Sequence, residues 1–141
     1  PSATREEVIT AAKAACAHEF VQAMPDGYDS PVGEGGDKLS VGQRQLITIA
    51  RALVCDPQIV VLDEATASID TQTEQRIQEG IDALLQGRTA FVIAHRLSTI
   101  EGADRILFVQ GGRVVEDGTH DELMALGSGG PTCLTLVLER R

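Results

Sequence analysis

No stretch of this sequence approaches the ~18 consecutive apolar residues that a membrane-spanning helix needs, although 43% of its 141 positions are hydrophobic. A soluble chain is expected. Pro1-Ser2-Ala3-Thr4 lacks the basic segment and apolar run of a secretory leader, and no Met opens it. The numbering is therefore expected to begin inside a longer protein. Cysteines are few: Cys16, Cys55 and Cys133 are odd in number and widely spaced, without a C-x-x-C pair. Neither a disulfide framework nor a zinc site is indicated, and three reduced thiols are expected. Positive charge is also short, with 12 Lys and Arg against 21 Asp and Glu and a net charge of -9. A general nucleic-acid surface would need a basic face to neutralise phosphates, so no nucleic-acid partner is expected. No internal repeat is visible. A chain of this length supports one core, burying roughly two thirds of the surface that its unfolded form exposes.

What is present reads as helices first and strands later. Thr4 and Glu7 form a T-x-x-E capping box ahead of an apolar-periodic run from Val8 to Met24, which predicts one helix or two short ones. Pro25-Asp26-Gly27 stops it, and the glycine-rich segment from Tyr28 to Lys38 reads as an extended loop. Ser40 then caps a helix from about Val41 to Val54, ended by Asp56-Pro57. Ile59-Val60-Val61-Leu62 is short, apolar and β-branched, which predicts a strand buried on both faces of a parallel sheet. Thr71 and Glu74 suggest a second capping box, opening a helix that presents Ile77, Ile81, Leu84 and Leu85 on one face until Gly87. Thr89 to Ala94 reads as another buried strand. Strand, helix and strand then form a βαβ unit with its functional ends at one edge. Arg105–Gln110 and Arg113–Asp117 flank Gly111-Gly112, a hairpin whose loop glycines can both take positive φ. Thr119 and Glu122 cap a short helix. Gly127-Ser128-Gly129-Gly130-Pro131 is a flexible break before an expected last helix with Leu134, Val137 and Leu138 on one side.

Several residues stand where chemistry is done. Ser40 and Gly42 at a helix N-terminus offer a hydroxyl, open N–H groups and a positive dipole end, which suit a terminal phosphate; a plain Ser cap is the bland alternative. Asp63 and Glu64 follow an apolar strand, where they could serve a metal and a water or simply be acids at a helix start. His95 follows the next strand, and a lone His is usually structural.

Taken together, Leu39-Ser40-Val41-Gly42-Gln43 with Arg44-Gln45-Leu46 resembles the LSGGQ signature of ABC ATPases, with Val41 where that family usually has its first glycine. Ile59 to Glu64 resembles its Walker B strand, Ala67-Ser68-Ile69-Asp70 its D-loop, and His95 its switch histidine. These motifs stand in the family's order, and the resemblance covers Ser30 to about Glu122. The resemblance implies an α/β fold: part of a P-loop NTPase domain of ABC type, with a parallel-sheet βαβ core, a C-terminal β-hairpin and an N-terminal helical subdomain. It implies segments 1–56 (helical signature subdomain), 57–126 (C-terminal part of the ATPase core) and 127–141 (linker and C-terminal helix). It further implies Glu64 and His95 as catalytic residues, with Ser40, Val41, Gly42, Gln43, Ser68 and Asp70 toward nucleotide. Asp63 would hold Mg²⁺ through water. ATP and Mg²⁺ are the cofactors implied for the complete protein. Pro31-Val32-Gly33-Glu34-Gly35-Gly36 and Ala94 to Ile100 resemble exporter versions of these segments, which makes Glu34 a candidate contact to the transmembrane coupling helices. The hairpin fits the family's C-terminal pattern in a structural role only. Implied partners are transmembrane domains and a second ATPase domain in a head-to-tail dimer, at the cytoplasmic face of the cell membrane.

One family element is missing. No G-x-x-x-x-G-K-[ST] occurs, and Lys13 and Lys38 have no such glycine frame. Neither Gln22 nor Tyr28 matches the family's glutamine loop or base-stacking aromatic. The chain alone is expected to be inactive. In the family's sheet the Walker A strand lies between the switch-histidine strand and the hairpin, so an interior strand position is expected to stand open. Either the hairpin moves over to the switch-histidine strand or two copies exchange strands, and self-association is the expected outcome. Two other classes stay in view: the C-terminal lobe of a chromosome-maintenance or repair ATPase head, and a non-catalytic chain that only presents a signature surface. The first should follow a long heptad-patterned coiled coil, whereas Thr4 to Met24 is a short Ala-rich run.

Overall fold

The computed structural model describes residues 3–63, 70–93 and 103–125 in full and 134–140 as backbone. The chain forms two units, residues 1–57 with 67–86 and residues 58–66 with 87–141.

The first unit is helical. Helix α1 spans Arg5–Ala14, where Thr4 accepts from the Glu7 N–H and the Glu7 carboxylate accepts from the Thr4 N–H at 2.7 Å, the reciprocal box expected. Cys16 turns the chain with φ 55°, and α2 follows over His18–Gln22. Two short helices therefore replace one long one. After 3₁₀ turns at Gly27–Asp29 and Glu34–Gly36, α3 runs over Val41–Cys55 and ends at left-handed Asp56 before Pro57, which cannot continue a helix. Helix α4 covers Thr71–Leu85. Its cap is Asp70 rather than Thr71: the Asp70 carboxylate, one residue earlier, takes the Thr73 N–H at 2.9 Å and places Thr71 in the first turn. Helix α3 packs against both α1 and α4. Ala11, Ala12, Ala15 and Ala17 are buried together with Leu46 and Leu84, and these small side chains let backbones approach closely.

The second unit is a five-stranded sheet in the order β1-β2-β5-β3-β4, with β1 Ile59–Asp63, β2 Thr89–Ile93, β3 Arg105–Gln110, β4 Arg113–Gly118 and β5 Leu134–Arg140. Strands β1 and β2 pair in parallel, as a βαβ connection through α4 requires. Strands β3 and β4 form the hairpin about Gly111 and Gly112, whose φ values of 56° and 74° are those of a two-residue loop that favours glycine. A short α5, His120–Ala125, follows the reciprocal Thr119–Glu122 box.

Two expectations are corrected here. Strand β1 is not buried on both faces: Val60 is buried, but Ile59 and Val61 on the other face are 62% and 69% exposed. The last element is a strand, not a helix. Strand β5 enters between β2 and β3 and pairs antiparallel with each. The i, i+3, i+4 spacing of Leu134, Val137 and Leu138 suggested a helix. The backbone groups of β2 and β3, however, need partners on the sides that face each other, and an extended segment satisfies both rows at once. The chain thus closes its own sheet. The hairpin does not move over to β2, and the open edge that motivated pairing between copies is filled from within.

Candidate functional site

The residues of Ser40–Gln43 sit at the start of α3 in the arrangement that a helix N-terminus dictates. The first N–H groups of any helix have no intrahelical acceptor. Here the Ser40 hydroxyl accepts from the Gln43 N–H at 3.1 Å, while the Gln43 side-chain oxygen accepts from the Ser40 N–H at 3.0 Å. Two of the four donors are satisfied by this box. The N–H groups of Val41 and Gly42 donate to no other described residue, and the Ser40 hydroxyl, whose oxygen accepts from Gln43, still has its proton to donate. Such an end binds anions through N–H groups and the helix dipole. Val41, the departure from the family pattern, is 43% exposed at the first helical position, whereas Gly42 is buried. The extra side chain leaves the cap unchanged.

Just upstream, the glycine loop is a built structure rather than a loose linker. The Lys38 N–H donates to Val32 O at 3.3 Å, Gly36 N–H to Gly33 O at 3.3 Å, and Leu39 N–H to Gly36 O at 3.0 Å. Gly33 has φ 80°, and a Cβ on it would lie 1.7 Å from the Asp37 carboxylate, so another residue there strains the backbone and pushes the Asp37 side chain aside. Glu34 is exposed on this loop. Arg44, in the first turn of α3, donates from Nη1 to Leu39 O at 2.7 Å and to Gly36 O at 3.3 Å. Sequence reasoning gave Arg44 no role. Its targets are main-chain carbonyls, which leave no mark in a residue pattern.

Asp70 caps α4, and the Thr73 N–H that it accepts is the main reason its carboxyl lies below the usual carboxylate range. In the second unit, Asp63 is exposed at the C-terminal end of β1 and registers with Ile93, the last residue of β2. That pairing brings the ends of the two strands level, with Glu64 next after one and His95 two residues after the other. Glu64, Ser68 and His95 themselves lie outside the described residues.

Among the described residues no cluster of three His, Cys, Asp or Glu could hold a metal ion. Asp63, exposed at the end of β1, is a carboxylate of the kind that magnesium takes together with waters and substrate phosphates. A cleft of about 370 Å³ in the first unit is lined by Val8, Val21, Met24, Ile47 and Val54. Its walls are too apolar for a polyphosphate. No helix among the described residues is long and apolar enough to cross a membrane.

Comparison with known proteins agrees with this geometry. Residues 2–67 match the ABC transporter family. The chain is 54% identical over 125 residues to an ATP-dependent lipid A-core flippase of Desulfotalea psychrophila, covering 89% of this chain and 22% of that protein. It is 55% identical over 129 residues to a heavy metal tolerance protein of Schizosaccharomyces pombe, covering 92% of this chain and 16% of that one. Among solved structures, a bacterial Atm1-family ABC exporter with ATP bound matches at a TM-score of 0.77 and 46% identity, over 90% of this chain and 22% of the exporter. The chain therefore spans about a fifth of the length of the curated relatives it matches.

Proposed function

We propose that this chain, which belongs to the ABC transporter family, is the C-terminal part of the ATP-hydrolysing subunit of an exporter. In the complete protein that subunit couples ATP binding and hydrolysis to transport across a membrane. One observation carries the reading: the Ser40–Gln43 box leaves two N–H groups and a hydroxyl proton unspent at the start of a fifteen-residue helix. That is the equipment for a terminal phosphate, and it occurs in a chain 46% identical to an exporter with ATP bound.

In this reading Ser40, Val41, Gly42 and Gln43 face the nucleotide held by a second ATPase domain in a head-to-tail dimer. Ser68 and Asp70 lie along the same interface. Asp63 would hold magnesium, which would supply neutralising charge to the phosphates. Glu64 orients or deprotonates the attacking water, and His95 contacts the terminal phosphate. Glu34 reaches the transmembrane partner, and the domain works at the cytoplasmic face of the membrane. Relatives that are transporters favour this reading over a chromosome-maintenance ATPase head.

The test is made in the complete protein. Glu64→Gln is expected to block turnover while leaving ATP bound, and His95→Ala to slow it. Both effects belong in kcat, and an unchanged kcat in either variant removes that residue from the mechanism.

A further inference from the structure

We propose that Arg44 is a positioning residue that fastens the loop carrying Glu34 to the N-terminus of α3, so that loop and signature move as one body. The proposal rests on the reading of Ser40–Gln43 as nucleotide-facing and of Glu34 as facing the membrane partner.

Two rigid pieces meet at Leu39–Ser40. The loop is closed on itself by the Lys38, Gly36 and Leu39 N–H groups, and the Asp37 carboxylate fills the space over Gly33. The helix start is closed by the Ser40–Gln43 box. A single stretch of backbone would leave a hinge between them. Arg44 spans that hinge. Its guanidinium bonds Leu39 O, the last carbonyl before the cap, and Gly36 O, at the end of the 3₁₀ turn. Its backbone N–H bonds Ser40 O at 3.0 Å, so one residue engages both sides of the joint. The side-chain stem runs along the loop as well: a Cβ on Gly36 would lie 3.5 Å from Arg44 Cγ and Cδ, at ordinary contact distance. Leu39, which carries one of the two anchored carbonyls, is buried at 7% exposure and cannot swing outward without losing that burial. Bonds from a charged donor are the stronger kind, and the fixed plane of a guanidinium sets their direction. A shift of Glu34 is therefore delivered to Ser40–Gln43, and a phosphate bound at the helix end is felt at Glu34 in return.

Two measurements decide this. In the 141-residue chain, Arg44→Met is expected to speed amide exchange at Gly36, Lys38 and Leu39 by at least ~10-fold, as loss of charge-assisted hydrogen bonds implies. Exchange at Ile49 in the middle of α3 stays as it was, and Arg44→Lys, a charged donor without the guanidinium plane, recovers only part of the protection. Unchanged exchange in Arg44→Met, or acceleration spread evenly through α3, overturns the fastening. In the complete protein, with magnesium-ATP as the probe, Arg44→Met and Glu34→Gln each lower kcat, with KM for ATP moving less than ~2-fold. The double variant is no slower than the slower single one, because both break the same connection. Additive losses overturn the proposal. A complete protein that hydrolyses no ATP at all overturns the nucleotide reading instead, and the exchange data still decide whether Arg44 fastens the loop.

Discussion

Gly80 meets Ala15 backbone to backbone: a Cβ built on Gly80 would stand 3.2 Å from the Ala15 carbonyl oxygen, and Ala15 is wholly buried. Helix α4 approaches the end of α1 this closely only because Gly80 has no side chain. Gly80→Ala gains up to ~1 kcal/mol of helix propensity but squeezes against main chain. The two effects are expected to leave stability within about 1 kcal/mol of the parent. Gly80→Val adds two further carbons and loses that balance, at a cost of ~1–3 kcal/mol. Urea unfolding of the two variants checks this, read from midpoints at unchanged slope.

Acid is expected to destabilise the chain through its caps. Asp70 is held below the usual range chiefly by the Thr73 N–H, Glu7 by the Thr4 N–H, and Glu122 by the Thr119 N–H. Asp117 is held down by its hydrogen bond from Arg105. A carboxyl with a lower value folded than unfolded stabilises the fold above its unfolded value, about 3.9 for Asp and 4.3 for Glu. That contribution is lost as pH falls through the folded value. Urea midpoints should therefore decline below about pH 4. Asp70→Asn keeps a capping oxygen, so it should change little at neutral pH and decline less steeply in acid. An acid limb as steep as the parent's would show that Asp70 contributes nothing to it.

Local chemistry made much of this fold legible. The Thr4–Glu7 and Thr119–Glu122 boxes, the Ser40 cap and the Gly111-Gly112 loop each depend on residues a few positions apart, and each forms as the sequence indicates. At α4 two capping residues competed, and only geometry showed that Asp70 takes the position. Strand β5 was unreadable because its conformation answers the needs of β2 and β3, which are distant in sequence. The exposed face of β1 depends on what packs there, which alternation of residue types does not record. The places of Ser40 and Asp63 in the fold were legible because they stand at the ends of regular elements. Arg44 was not, because it acts on carbonyls.

The 141-residue chain by itself is expected not to hydrolyse ATP. It contains no G-x-x-x-x-G-K-[ST], and its net charge of -9 brings carboxylates to a polyanion without a lysine and amide cradle. Phosphoryl transfer is almost wholly positioning and charge stabilisation, so the rate is removed rather than trimmed. Magnesium-dependent phosphate release above that of a Glu64→Gln control would disprove this.

Removing residues 127–141 is expected to make copies of the chain associate more readily. Strands β2 and β3 each lose a neighbour with β5 and expose unpaired N–H and C=O groups. Sedimentation over a range of concentrations checks it. A shortened chain that stays monomeric, with β2 amides as protected as before, would mean that the sheet closes without its last strand.

The placement of β5 also sets the order in which the sheet is built. Strands β3 and β4 are neighbours in sequence and can pair as soon as they exist, whereas the strand joining β2 to β3 is downstream of both. Its pairing with β2 joins residues 89–93 to residues 136–140. A loop of that length must close before any of those hydrogen bonds offsets the lost chain entropy. When the 141-residue chain folds by itself, the sheet's two halves therefore wait, each with an unpaired inner edge, until residues 134–140 enter between them.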